Sequence, residues 1–197
     1  MKKKVLIPLL LAFIFFLTAF FTLDDYNVSW DETIHFRRGQ AYLRYFLTGE
    51  KNYNSLSSKV PIPRRSIYQS NLHNAEYFLS KDVGHPPIND ELAALSNYIF
   101  FQKLGVLDDI TAYHLFNIAA SAILVFVVVM FAKETFGTFA SVISFLALST
   151  YPLFWAESHF NIKDFPLAAF FSGFIWAFYK SLKNFSVFGS ISSVISV

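Results

Sequence analysis

The chain has 197 residues, of which 54% are hydrophobic and 19% aromatic, with 25 phenylalanines and only 15% charged residues. That balance excludes an ordinary soluble domain and fits an integral membrane protein. The net charge of +2 says little, no nucleic-acid partner is expected, and the absence of cysteine excludes a disulfide framework, a thiolate metal site and a cysteine nucleophile.

Lys2, Lys3 and Lys4 precede an uncharged run from Val5 to Leu23, about 28 Å of helix at 1.5 Å per residue. A cleaved signal peptide would have a shorter apolar core followed by small residues, whereas this run ends Phe20, Phe21, Thr22, Leu23. Residues 1–23 are therefore expected to be a cytoplasmic N-terminus and a retained first span.

Residues 24–111 are polar and mixed in charge and form the expected first extracytoplasmic loop. Within it, Ser29 and Glu32 have the spacing of a capping box, which predicts a helix starting at Ser29 and running to about Phe46. Asp31 and His35, four apart, would share one face of that helix. The acids of the first turn suit the helix dipole, and a carboxylate fixed at a lipid–water boundary can also take a proton from a substrate. The bases between Asn52 and Arg65 fit a solvated loop touching lipid headgroups. Gly84, His85, Pro86 and Pro87 form a rigid turn, and a helix is expected from about Ile88 to Leu104, lying along the interface and ended by Gly105.

Residues 112–197 hold the remaining spans: Ala112 to Ala132, Phe136 to Ala156, Phe165 to Tyr179, and the start of a fifth from Phe185, shorter than the roughly 20 residues needed to cross. The chain is expected to be the N-terminal piece of a longer polytopic protein. Lys2 to Lys4, Lys133, Lys180 and Lys183 mark one side as cytoplasmic. The Asp31 region and the turn Glu157, Ser158, His159, Phe160, Asn161, Ile162, Lys163, Asp164 then both face outward. Charge beside lipid is costly and tends to mark function, although such a turn also serves as a plain polar connection. His35, His85 and His159 could gather around a metal with the acids, but no pair has the close spacing of a zinc motif, so the metal signal is weak and no cofactor is predicted.

Trp30, Asp31, Glu32, His35 and Phe36 resemble the Asp-Glu-x-His-Phe motif of the protein O-mannosyltransferases. Lys81, Asp82, His85, Pro86 and Pro87 resemble their later His-Pro-Pro motif, and Glu157 to Asp164 followed by Pro166 and Leu167 resembles the segment before their fourth span. The resemblance implies an all-α polytopic membrane protein with the C-type glycosyltransferase fold (GT-C), its long first extracytoplasmic loop carrying interfacial helices. It implies an inverting hexosyltransferase that uses a polyprenyl-phosphate sugar in the membrane, with a hydroxyl acceptor on protein, lipid or polysaccharide. Asp31 would be the base and Glu32 a positioning residue. His35, Arg37, Arg38, His85, Glu157, His159, Lys163 and Asp164 would bind the substrates and the donor phosphate, with His159 where the family usually has arginine. The related C-type enzymes with lipid-monophosphate donors imply no obligatory metal. A transporter or lipid flippase, and a non-catalytic subunit of a glycosylation complex, are the competing classes. The spans are clean at their centres, which disfavours transport.

Overall fold

The computed structural model describes residues 2–56, 64–82 and 86–184. Among them there are helices and no strand: α1 (Lys2–Phe21), α2 (Glu32–Thr48), α3 (Ala75–Lys81), α4 (Ile88–Asn97), α5 (Asp109–Phe136), α6 (Thr138–Thr150), α7 (Pro152–Phe160) and α8 (Asp164–Asn184). The expected all-α membrane architecture is what the chain adopts.

The 28 residues of α5 make it about 42 Å long, and α1, α4, α6, α7 and α8 all pack on it. Its apolar residues surround the helix instead of forming one stripe, as suits a helix covered on several sides. Ala12, Phe15 and Ala19 of α1 meet Ile118, Val125 and Val129 of α5 in one core, with Phe154 and Trp155 of α7 packed against it. α5 and Asp164–Leu182 of α8 are each long and apolar enough to cross a membrane. The apolar part of α1, Val5–Phe21, is shorter than these.

The third expected span is broken. α6 and α7 pass the same test only together and are bent by 68°. Tyr151 between them is extended (φ −77°, ψ 112°) and Pro152 opens α7, the backbone that a residue before proline favours. The expected fifth span falls on residues outside those described.

A second core holds the loop to the bundle: Phe36 of α2, Tyr68, Ala93 and Ala94 of α4, Tyr113 of α5, and Ile162 of the turn before α8. Phe36 stacks on Tyr113 at 4.0 Å and meets Tyr68 edge-on at 5.0 Å. α2 begins at Glu32 with Asp31 as its N-cap, two residues later than the capping box predicts. Half of that box forms: Ser29 N–H donates to Glu32 Oε2 at 2.7 Å, but the Ser29 hydroxyl is turned to Asp31 Oδ1, to which it donates, and takes no first-turn N–H. The helix expected to end at Leu104 is α4 continued by a wider π-helical stretch, Tyr98–Lys103, with Gly105 at φ +67°. α3 carried no sequence expectation; Asn74 caps it by accepting from Tyr77 N–H.

Candidate functional site

The start of α2 and the turn between α7 and α8 are more than a hundred residues apart in sequence and face each other across one cavity of about 200 Å³. Asp31, Glu32, Glu157, Asn161 and Lys163 line it, with Ser29, Phe160 and Ile162. Ile162, buried in the second core beside Phe36, fixes the turn against α2. Asn161 organises the turn, donating from Nδ2 to Glu157 at 2.6 Å and Asp164 at 3.1 Å while its Oδ1 accepts from the Asp164 N–H at 2.8 Å.

The two neighbouring acids differ. Asp31 is exposed to the cavity and receives the Ser29 hydroxyl. Glu32 is buried, with one oxygen on the Ser29 N–H and the other 3.0 Å from His114 Nε2 of α5.

A second cavity of about 280 Å³ is lined by His35, Arg38, Tyr77, Lys81, Asp82 and Lys163, with Ile34 and Phe78. Lys163 thus belongs to both. Arg38 is buried and donates to Asp90 at 2.5 Å and Asp82 at 2.6 Å. Burial works against its charge, but the two carboxylates outweigh that and hold the guanidinium more firmly protonated than usual. His35 Nδ1 lies 2.9 Å from both Asp90 Oδ1 and Arg38 Nη2, so it can donate to the first or accept from the second, not both. Burial and the neighbouring Asp90 charge push the Glu91 carboxyl above its usual range.

Of the other predicted residues, Arg37, His159 and Asp164 line neither cavity. Arg37 is on the side of α2 near His73, where burial and then the Arg37 charge depress the imidazole's proton affinity. His159 is fully buried, its Nε2 3.0 Å from the Thr22 hydroxyl, its Nδ1 2.8 Å from Trp155 O, and its ring stacked at 4.1 Å on Tyr26. It braces the end of α1. Asp164 starts α8 and accepts from Asn161. His85 lies outside the described residues. Asp31 and His35, expected to share a face, point to different cavities because Asp31 precedes the helix.

Asp90, His114 and Asn161 were missed as site residues. Asp90 reads from sequence as a helix-start acid and His114 as an interruption near the start of a span; only the fold reveals their partners. Among the described residues no group of three or more histidines and acids is placed to hold a metal ion.

A larger cavity of about 400 Å³ lies along the C-terminal half of α2. No carboxylate lines it, and the Gln40, Gln69 and Gln102 amides beneath it bond to one another, to Asn97 and to Tyr113. That amide network is packing chemistry, and Arg44 and Lys103 are the two bases of the lining.

The family model described as dolichyl-phosphate-mannose-protein mannosyltransferase matches residues 84–192, from before α4 through α8 and including the acidic turn. Asp31 and Glu32 lie before the matched residues. No curated protein and no solved structure matches the chain. The family match covers more than half of this helical membrane chain, so it belongs to the dolichyl-phosphate-mannose-protein mannosyltransferase family and is a glycosyltransferase drawing its sugar from a polyprenyl-phosphate carrier.

Proposed function

We propose that the chain carries an inverting transfer of a hexose from its lipid-phosphate donor to a hydroxyl acceptor at the outer membrane face, with Asp31 as the base. The reading rests on the meeting of Asp31 with the Glu157–Lys163 turn around one cavity.

Charge supports a division of labour. The first cavity carries Asp31, Glu32 and Glu157 against one Lys163, and suits a neutral hydroxyl that must lose a proton. The second carries Arg38, Lys81 and Lys163 against Asp82, and suits an anion. With the donor phosphate in the second cavity and the acceptor in the first, the anomeric carbon lies near Lys163. Asp31 takes the acceptor proton, the acceptor oxygen forms its bond to the anomeric carbon, and the carbon–oxygen bond to phosphate breaks with its electrons on the phosphate. Lys163 and Lys81 stabilise that charge as it develops, so the step is written without a metal. Arg38, already paired twice, shapes the second cavity more than it contacts phosphate. A single displacement inverts the anomeric centre. Protein, lipid and polysaccharide hydroxyls all suit this chemistry as acceptors.

The test is Asp31→Asn in the full-length chain, assayed in membranes with labelled polyprenyl-phosphate mannose. Loss of transfer by roughly 100-fold or more with normal membrane insertion is expected. Wild-type transfer removes Asp31 as the base.

A further inference from the structure

Glu32 is bonded at both carboxylate oxygens, and one of its two partners comes from inside a membrane helix. His114 of α5 places Nε2 3.0 Å from Glu32 Oε1, and neither side chain is more than 1% exposed. The imidazole lies near Phe36, centroids 6.1 Å apart, and its Nδ1 has no hydrogen-bond partner in the protein. One turn along α5, Asn117 donates to the His159 carbonyl at 3.3 Å, joining the same stretch of helix to α7.

The geometry suits a bond in which the imidazole donates: a carboxylate only accepts, so His114 holds Glu32 through a hydrogen on Nε2.

We propose that His114 is a positioning residue for sugar transfer: it holds Glu32 and, through the bond from Glu32 to the Ser29 N–H, sets the backbone from which Asp31 faces the cavity. The inference rests on the reading of Asp31 as the base. His114 acts from α5, the helix on which most of the bundle packs, so the loop bearing the base is registered to the membrane core and not to its own residues alone.

Gln at position 114 retains an N–H near the place of Nε2, Asn places its N–H short of it, and Leu has none. In the full-length chain His114→Leu and His114→Asn are expected to lower kcat by roughly 10- to 100-fold, the scale of a lost hydrogen bond to a charged group. The donor KM should stay within about 3-fold and His114→Gln within about 5-fold of wild type, because the held geometry and not donor affinity is what changes. In a Glu32→Gln background, His114→Leu should add little further loss, as expected of residues acting as one unit. Wild-type turnover in His114→Leu, equal impairment of the folded Gln and Asn variants, or a full multiplicative loss in the double variant would each overturn the proposal. If His114→Leu does not accumulate in membranes, the Gln and Asn pair decides. Asp31→Asn is assayed alongside: activity surviving there removes the base assignment, while rescue by Gln still supports His114 as the holder of Glu32.

Discussion

Gly39 of α2 lies directly against the backbone of Asp90 in α4: a Cβ at position 39 would come within 2.6 Å of the Asp90 carbonyl carbon. The missing side chain lets the two helices close until Arg38 and His35 reach the Asp90 carboxylate. Because the obstruction is backbone, it cannot swing aside as a side chain could. Gly39→Ala is expected to destabilise the protein by about 1–3 kcal/mol through overpacking, read as a lowered thermal midpoint in detergent. An unchanged midpoint would mean that the helices separate without cost.

Asp90 neutralises a guanidinium that is itself buried. Asp90→Ala leaves Arg38 with Asp82 as its one carboxylate and His35 as a neutral acceptor, and breaking a buried pair from one side costs about 3–5 kcal/mol. Asp90→Asn, which keeps the shape and one acceptor, should lose less. Limited proteolysis across residues 64–82 together with the thermal midpoint would order the two variants. If Asp90→Ala matches wild type, the network contributes nothing to the fold.

Lys163 is exposed and lines both cavities. Lys163→Met should leave the thermal midpoint within about a degree, since exposed substitutions away from packing cost little. It should reduce kcat/KM for the lipid-phosphate donor by about 100-fold, the scale of removing one preorganised charge partner. Lys163→Arg should retain part of the activity. A Met variant with full activity would remove this lysine from phosphate stabilisation.

Asp108 caps α5, accepting from the Ile110 N–H at 3.0 Å and the Thr111 N–H at 3.1 Å. Burial alone would raise its proton affinity, but these donors and the Thr111 hydroxyl outweigh it and hold the carboxyl below its ordinary 3.8. A depressed carboxylate contributes stability that is complete above its unfolded value and is lost as pH falls through the folded one. Asp108→Ala should therefore cost about 1 kcal/mol at pH 7. The gap in thermal midpoint between the two proteins should then narrow below about pH 4. A gap constant down to pH 2.5 would show that the charge of the cap is irrelevant.

What could be read from sequence follows from how local each signal is. Uncharged runs and lysine flanks announce helices because lipid tolerates little else, and Gly105 announces an end because only its backbone enters a positive φ cheaply. α2 starts later than the spacing predicts because the Ser29 hydroxyl turns to Asp31 while Glu32 takes the Ser29 N–H, and residue spacing cannot show where that hydroxyl points. The third span looked continuous because Tyr151 and Pro152 interrupt its backbone without interrupting its hydropathy. The sequence puts the Asp31 region and the Glu157–Asp164 turn on one membrane face, and the resemblance implies that they converge at one pocket. Their shared cavity depends on Ile162 packing beside Phe36, a contact between segments far apart that no periodicity encodes.

The grip of His159 on the end of α1 gives the first helix a duty inside the fold. Thr22 and the Ala19 carbonyl face the imidazole while Tyr26 lies flat on it, and the same α7 that carries His159 delivers Glu157 to the cavity. Swapping α1 for an unrelated hydrophobic anchor would keep the chain tethered to lipid yet remove the seat on which the acidic turn rests. Tagging or trimming strategies that treat this helix as disposable will, on this architecture, yield protein that inserts but does not transfer.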